Sequence, residues 1–146
     1  MLQIRRLHLA SLTVGGARWP VHGFVVTHPG GAVLVDTGVG GPAEVLSDWR
    51  ELLDGDAEVV PGLSVIATPG HTSGHQSVLV ATAQESADVL IGDAAYTSAQ
   101  YGGPSDDELP PGQASDPAAW RDSLHRIRAM APARVHFCHD TDVIHR

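Results

Sequence analysis

Thr68-Pro-Gly-His-Thr-Ser-Gly-His75, Ile91-Gly-Asp-Ala-Ala-Tyr96 and Val135-His-Phe-Cys-His-Asp140 are the stretches whose reading decides the fold of this chain. Each polar segment is led into by a short apolar run, at residues 63–67, 88–91 and 134–137. Runs of that length, rich in β-branched residues and bounded by Gly and Pro, predict strands. His71, Asp93 and His139 therefore fall one to four residues past a strand, where a rigid sheet hands over to a loop. If those strand ends share one edge, two imidazoles and a carboxylate converge there. That donor set suits zinc, whose catalytic sites take three protein ligands plus a water. Water held in this way reaches a pKa of roughly 7 and becomes a nucleophile.

Working outward, residues 76–81 predict a further strand. In the first half, residues 3–14 and 21–28 read as two strands, and Gly30-Gly31 turns the second into residues 32–36 as a hairpin. Pro42 opens a predicted helix carrying Val45, Leu46, Trp49, Leu52 and Leu53 at spacings of three and four, which Asp54-Gly55 ends. Residues 97–114, rich in Gly, Pro, Ser and Asp, read as a long loop beside the site. Asp116-Pro117 starts the last helix, with Asp as N-cap and Pro at the first helical position. Trp120, Leu124 and Ile127 give that helix one apolar stripe, and Pro132 stops it. Strands with interspersed helices predict a layered α/β or α+β fold.

The bulk properties set limits. A length of 146 residues predicts one domain. A hydrophobic content of 42% is ordinary for a globular protein, and 16 Gly with 10 Pro imply many turns. The net charge of −8, with nine scattered Arg and no Lys, argues against nucleic acid, which needs a positive field. Cys138 is the single cysteine, so an intrachain disulfide and a paired-cysteine metal site are both excluded. Arg5-Arg6 before residues 7–14 superficially suggests a leader peptide, but His8, Ser11 and Thr13 interrupt the apolar run. No run approaches the ~18 apolar residues of a membrane span. A cytoplasmic location, with no membrane partner, is the expectation.

Together with Val33-Leu-Val-Asp-Thr-Gly38, the quoted stretches resemble the metallo-β-lactamase superfamily, most closely its lactonase-like branch. The resemblance runs from Gly23 to His139. It implies a β-sandwich with flanking helices, an α+β fold. It also implies that His71 ligates one metal, that Asp93 bridges two, and that His139 ligates the second. Tyr96, three residues after the bridging Asp, then polarises a substrate carbonyl or steadies its oxyanion. Asp36 is a structural element of the strand end in this family and is given no catalytic role.

One departure is equally specific. The family carries a His-x-His-x-Asp-His loop between the first two signatures, yet no His lies between His28 and His71. The 35 positions from Asp36 to His71 are too few for the family's helix, strand, metal loop and following strand. The apparent internal deletion lies near residues 48–53, dividing the domain into halves of about 1–50 and 51–146. With the loop go two ligands of each metal. Paired catalytic metals sit about 3.5–4 Å apart, so His71 and His139 belong to different ions. The expectation is a zinc hydrolase by descent, of lactonase or esterase type, with a partial zinc site and weak or no turnover on a small-molecule ester or lactone. The alternative is a non-catalytic dimeric scaffold or interaction protein derived from that family.

Plainer roles compete for several residues. His71 and Asp93 also suit turns, Tyr96 also suits packing, and His75 reads as a loop hydrogen-bonding residue rather than a ligand. His136, inside its strand, reads as core or surface, and His8, His22, His28, His125 and His145 show no partner in sequence. Asp106-Asp107-Glu108 reads as solvated loop. Finally, a shortened connection that uncovers apolar surface predicts a homodimer, swapped or packed face to face, with the segment around Asp48–Asp54 and Trp49 at its interface.

Overall fold

The computed structural model describes residues 2–36, 53–82, 86–102 and 114–145. Its first sheet has three antiparallel strands in the order β1 (Gln3–Val14), β2 (Ala17–His28), β3 (Gly31–Val35). Gly15 and Gly16, at φ of 58° and 81°, make the turn between β1 and β2. Two consecutive positive φ values are what a tight hairpin turn matching strand twist requires. The second sheet has six strands in sequence order: β4 (Ala57–Val60), β5 (Leu63–Ala67), β6 (Gln76–Ala81), β7 (Ala87–Leu90), β8 (Arg134–His136) and β9 (Val143–His145). Among the described residues only β7 and β8 pair in parallel. A parallel pair needs a crossover, and here it contains α1 (Ser98–Gly102) and α2 (Pro117–Ala129).

Side-chain alternation on the second sheet feeds two cores. On one face Leu63, Val78, Val80, Leu90 and Cys138 pack against Phe24 and Val26 of β2, joining the sheets. On the other face Ile66, Val89, Ile91, Val135 and Phe137 meet Trp120, Leu124 and Ile127 of α2. The α2 cap is as the sequence implies: Asp116 Oδ1 accepts from the N–H groups of Ala118 and Ala119 at 3.0 Å, with Pro117 in the first turn. Trp120 is 1% exposed and donates its indole N–H to Ala94 O at 2.8 Å, so its polar end is satisfied inside the core.

The sandwich with helices outside agrees with the sequence reading, and β5 and β6 have the expected limits. Some details differ. β2 begins at Ala17, four residues early, because Pro20 is accommodated where β3 does not reach: β3 pairs with β2 only from Phe24 onward, so no strand there needs an N–H from Pro20. The turn into β3 is Pro29-Gly30, since His28 pairs with Gly31. Two edge strands, β4 and β9, carry too few apolar residues to announce themselves. Residues 98–102, read as loop, form α1, held by Ser98, whose N–H and hydroxyl both donate to Asp140 Oδ2 at 2.9 and 2.8 Å. The helix expected after Pro42, the apparent junction, Trp49 and the acidic run 106–108 lie outside the described residues.

Candidate metal centre

His71, Asp93 and His139 follow β5, β7 and β8, and the structure brings all three to one sheet edge. The loop carrying His71 lies on the first turn of α2. Gly70, at φ 139°, makes this possible, because a Cβ there would sit 2.3–2.5 Å from Trp120 Cα, N and Cβ. Asp116 N–H donates to Gly70 O at 3.0 Å and Ser123 Oγ–H to Pro69 O at 2.7 Å, tying loop to helix.

Asp93 is positioned by His75. The His75 Nδ1–H faces Thr68, 3.0 Å from its carbonyl and 2.8 Å from its hydroxyl, which leaves Nε2 to accept the Asp93 N–H at 2.9 Å. Both ring nitrogens are thereby used, and burial lowers the pKa of His75, keeping it neutral. Gly92, at φ 61°, allows the approach, since a Cβ would meet His75 Nε2 at 2.8 Å. The loop role read for His75 is what the structure shows.

The Asp93 carboxylate has one imidazole on each oxygen. His71 Nε2 is 3.2 Å from Oδ2, and His139 Nε2 is 3.2 Å from Oδ1. His139 Nδ1 lies 2.9 Å from Pro20 O, so its N–H is donated to that carbonyl. Its Nε2 therefore carries either a lone pair for a cation or a second proton for the carboxylate. Asp93 favours the second: its hydrogen bond raises the pKa of His139, against the opposing effect of burial. Burial by itself would raise Asp93, but the His139 hydrogen bond and then the His139 and His71 charges outweigh it and hold the carboxyl below its usual value. Tyr96 OH stands 3.4 Å from His71 Nδ1, and its ring sits edge-on to His71 and His139 at 6.0 and 5.1 Å between centroids. Burial and then the Asp93 charge push the phenol up to about 12, so Tyr96 remains a proton donor at neutral pH.

The donor types suit zinc, but their number does not complete a centre. Each Asp93 oxygen shares its side with one imidazole, whereas a catalytic zinc takes three protein ligands. Among the described residues no group of three or more His, Cys, Asp or Glu side chains is arranged to hold a metal ion. The described residues alone therefore do not fit a complete zinc centre.

Two supports carry no signal in the sequence. Pro20 orients His139 through its carbonyl, and Trp19 lies edge-on to Tyr96 at 6.3 Å. Both belong to β2, far away in sequence, and a backbone carbonyl has no residue-type signature. Asp36 follows β3 at φ 60°, and its Oδ2 accepts from the Cys138 thiol at 3.8 Å. Burial and the Asp36 and Asp93 charges push that thiol up, so Cys138 is no thiolate ligand. The positive φ of Asp36 was the one sign in this segment that only coordinates reveal.

An N-acyl homoserine lactonase, AiiA, from Bacillus thuringiensis subsp. kurstaki is 34% identical over 95 residues, covering 63% of this chain and 36% of that protein. The chain thus resembles, in sequence and in fold, the lactonase-like branch of the metallo-β-lactamase superfamily. Another relative of this branch, an N-acyl homoserine lactonase from Bacillus cereus, is 42% identical over 60 residues, covering 41% of this chain and 22% of its own. The sequence match thus spans little more than a third of the curated relatives' length. A quorum-quenching N-acyl homoserine lactone lactonase superimposes with a TM-score of 0.72 at 20% identity, over 94% of this chain and 92% of that one. A probable metal-dependent hydrolase from Staphylococcus aureus gives 0.74 at 12% identity, over 99% and 97%. At those identities the superpositions establish the metallo-β-lactamase-like fold. No family model matches the chain.

Proposed function

We propose that this protein is a lactonase-type hydrolase scaffold, of the lactone and ester class, in which the metal site is incomplete and turnover weak or lost. The carrying observation is Asp93 with His71 on one carboxylate oxygen and His139 on the other, beside Tyr96. That is the bridging arrangement the family resemblance implies, reduced to one imidazole per metal position. The similarity to N-acyl homoserine lactonases supports the lactone and ester class.

The chain's own groups retain part of the task. Tyr96 stays protonated and can donate to a carbonyl oxygen brought beside His71. The Pro20 carbonyl fixes the His139 ring, and His75 fixes the Asp93 backbone. A zinc ion, if bound, supplies Lewis acidity and an activated water. The described residues offer it too few ligands, and a homodimer that joins donors of two chains is the completion we favour. The alternative is a non-catalytic dimeric scaffold or interaction protein, a reading that suits the absence of a three-residue ligand cluster among the described residues.

The test is hydrolysis of a simple γ-lactone and an aryl acetate with added zinc, in the wild type and in Asp93→Ala. The expected kcat/KM lies well below the ~10⁴ M⁻¹s⁻¹ floor of typical enzymes and vanishes in the variant. Typical enzyme rates from a monomer would overturn the impairment. Hydrolysis unchanged by Asp93→Ala would overturn the site.

A further inference from the structure

One group of polar side chains lies apart from Asp93 and has no part in the chemistry above. His8 of β1 and His22 of β2 occupy directly opposed positions in the first sheet. Their ring centroids are 5.6 Å apart, with planes at 65°. Two imidazoles sharing one zinc, at about 2.0–2.1 Å per Zn–N bond, place their centroids about 5 Å apart. The observed separation is close to that value.

The nitrogens point the same way. His22 is 4% exposed, and its Nδ1 has no hydrogen-bond partner among the described residues. The backbone carbonyls of Phe137 and Asp140 interact with its ring, which leaves them the other nitrogen, Nε2. With Nε2 as the donor, Nδ1 presents a buried lone pair that no donor serves, an arrangement folded proteins rarely leave unexplained. His8 is exposed, and its Nε2 lies 3.3 Å from Ser11 Oγ. That separation is long for a hydrogen bond involving a hydroxyl, but suits a nitrogen and an oxygen bound to one ion. The Arg6 charge is nearby, and its guanidinium is directed to the carbonyls of Thr141 and Asp142 at 2.6 and 3.1 Å.

We propose that His8 and His22, with the Ser11 hydroxyl and water, form a second cation site on the β1–β2 hairpin that takes a late divalent transition metal. Imidazole ligands favour copper, nickel and zinc, with copper(II) bound most tightly. The site opens to solvent on the His8 side, so an ion enters without unfolding the sheet.

Copper(II) is the probe, added to the whole chain and followed by electron paramagnetic resonance and by equilibrium competition. The wild type is expected to show a spectrum with two equatorial imidazole nitrogens. His8→Ala, at an exposed position that leaves the core intact, is expected to lose one nitrogen and to bind about a hundredfold more weakly or worse, since even losing an indirect support of a ligand costs 10–100-fold. Asp93→Ala, which disables the other centre, is expected to retain the two-nitrogen signal. An unchanged spectrum and affinity in His8→Ala would overturn the proposal. So would loss of the signal in Asp93→Ala with its retention in His8→Ala. Circular dichroism confirms that each variant is folded before its spectrum is read.

Discussion

The two sheets contribute to this molecule in different ways. The six-stranded sheet is covered on both faces, by α2 on one side and by the first sheet on the other, and its buried residues are mostly 0–4% exposed. The three-stranded sheet buries Phe24 and Val26 inward, while Leu9, Leu12, Val14 and Leu34 are 39%, 39%, 61% and 55% exposed. All three candidate ligands sit on the covered sheet, and the open sheet supplies only supports: the Pro20 carbonyl and the Trp19 ring. The groups of the Asp93 centre are thus placed where packing is densest.

The contrast can be broken by mutation. Trp120→Ala removes the largest fully buried side chain and the backing of the Gly70 turn. It is expected to cost about 3–5 kcal/mol. Leu34→Ser, on the open sheet, is expected to change stability by no more than about 0.5 kcal/mol. Urea denaturation midpoints decide this. Similar losses at the two positions would mean that the first sheet is covered in solution, as the proposed homodimer requires.

A second contrast lies between the end of β8 and the loop that follows it. His136 and His139 are three residues apart, yet their pKa values move in opposite directions. Burial lowers His136, offset only in part by Asp88, which is itself 0% exposed and 2.6 Å from Arg134 Nη2. Asp93 raises His139. The unfolded chain takes up a proton near the ordinary value of about 6.5, whereas folded His136 takes it up only at lower pH. The His136 contribution to stability is therefore complete above about pH 6.5 and is lost as pH falls from there toward the folded pKa. For His139 the sign reverses: the contribution is complete below about pH 6.5 and is lost as pH rises through its folded pKa. His136→Gln is expected to flatten the acid side of the stability profile by up to about 1.4 kcal/mol per pH unit relative to the wild type. Urea midpoints at pH 5.5 and 7.5 measure the difference, and parallel profiles would contradict it.

How far the sequence could be read follows the same division. Residues 63–67 and 76–81 were legible because each is an apolar run between strong turn residues, and Asp116-Pro117 because a cap is a local signal. β4 was missed because Glu58 interrupts four residues wedged between Gly55 and Gly62, and β9 because three residues carry no periodicity. Pro20 hid the start of β2, since only the short reach of β3 makes a proline acceptable there. Ligand convergence at His71, Asp93 and His139 was foreseeable from strand ends. The Pro20 contact with His139 was not, because it depends on how one sheet folds over the other.

The central claim is that Asp93 joins two imidazoles that serve different positions, leaving neither with enough ligands from the described residues. Zinc binding to the protein after chelator treatment, with mass measured in the same sample, tests it most directly. The account predicts that monomer binds zinc at this site more weakly than about 1 μM, far short of the 10–16 kcal/mol of a full structural site, and that any tight, Asp93-dependent zinc accompanies dimer. Monomer that carries a full equivalent of zinc through metal-free gel filtration, and loses it in Asp93→Ala, would contradict the account.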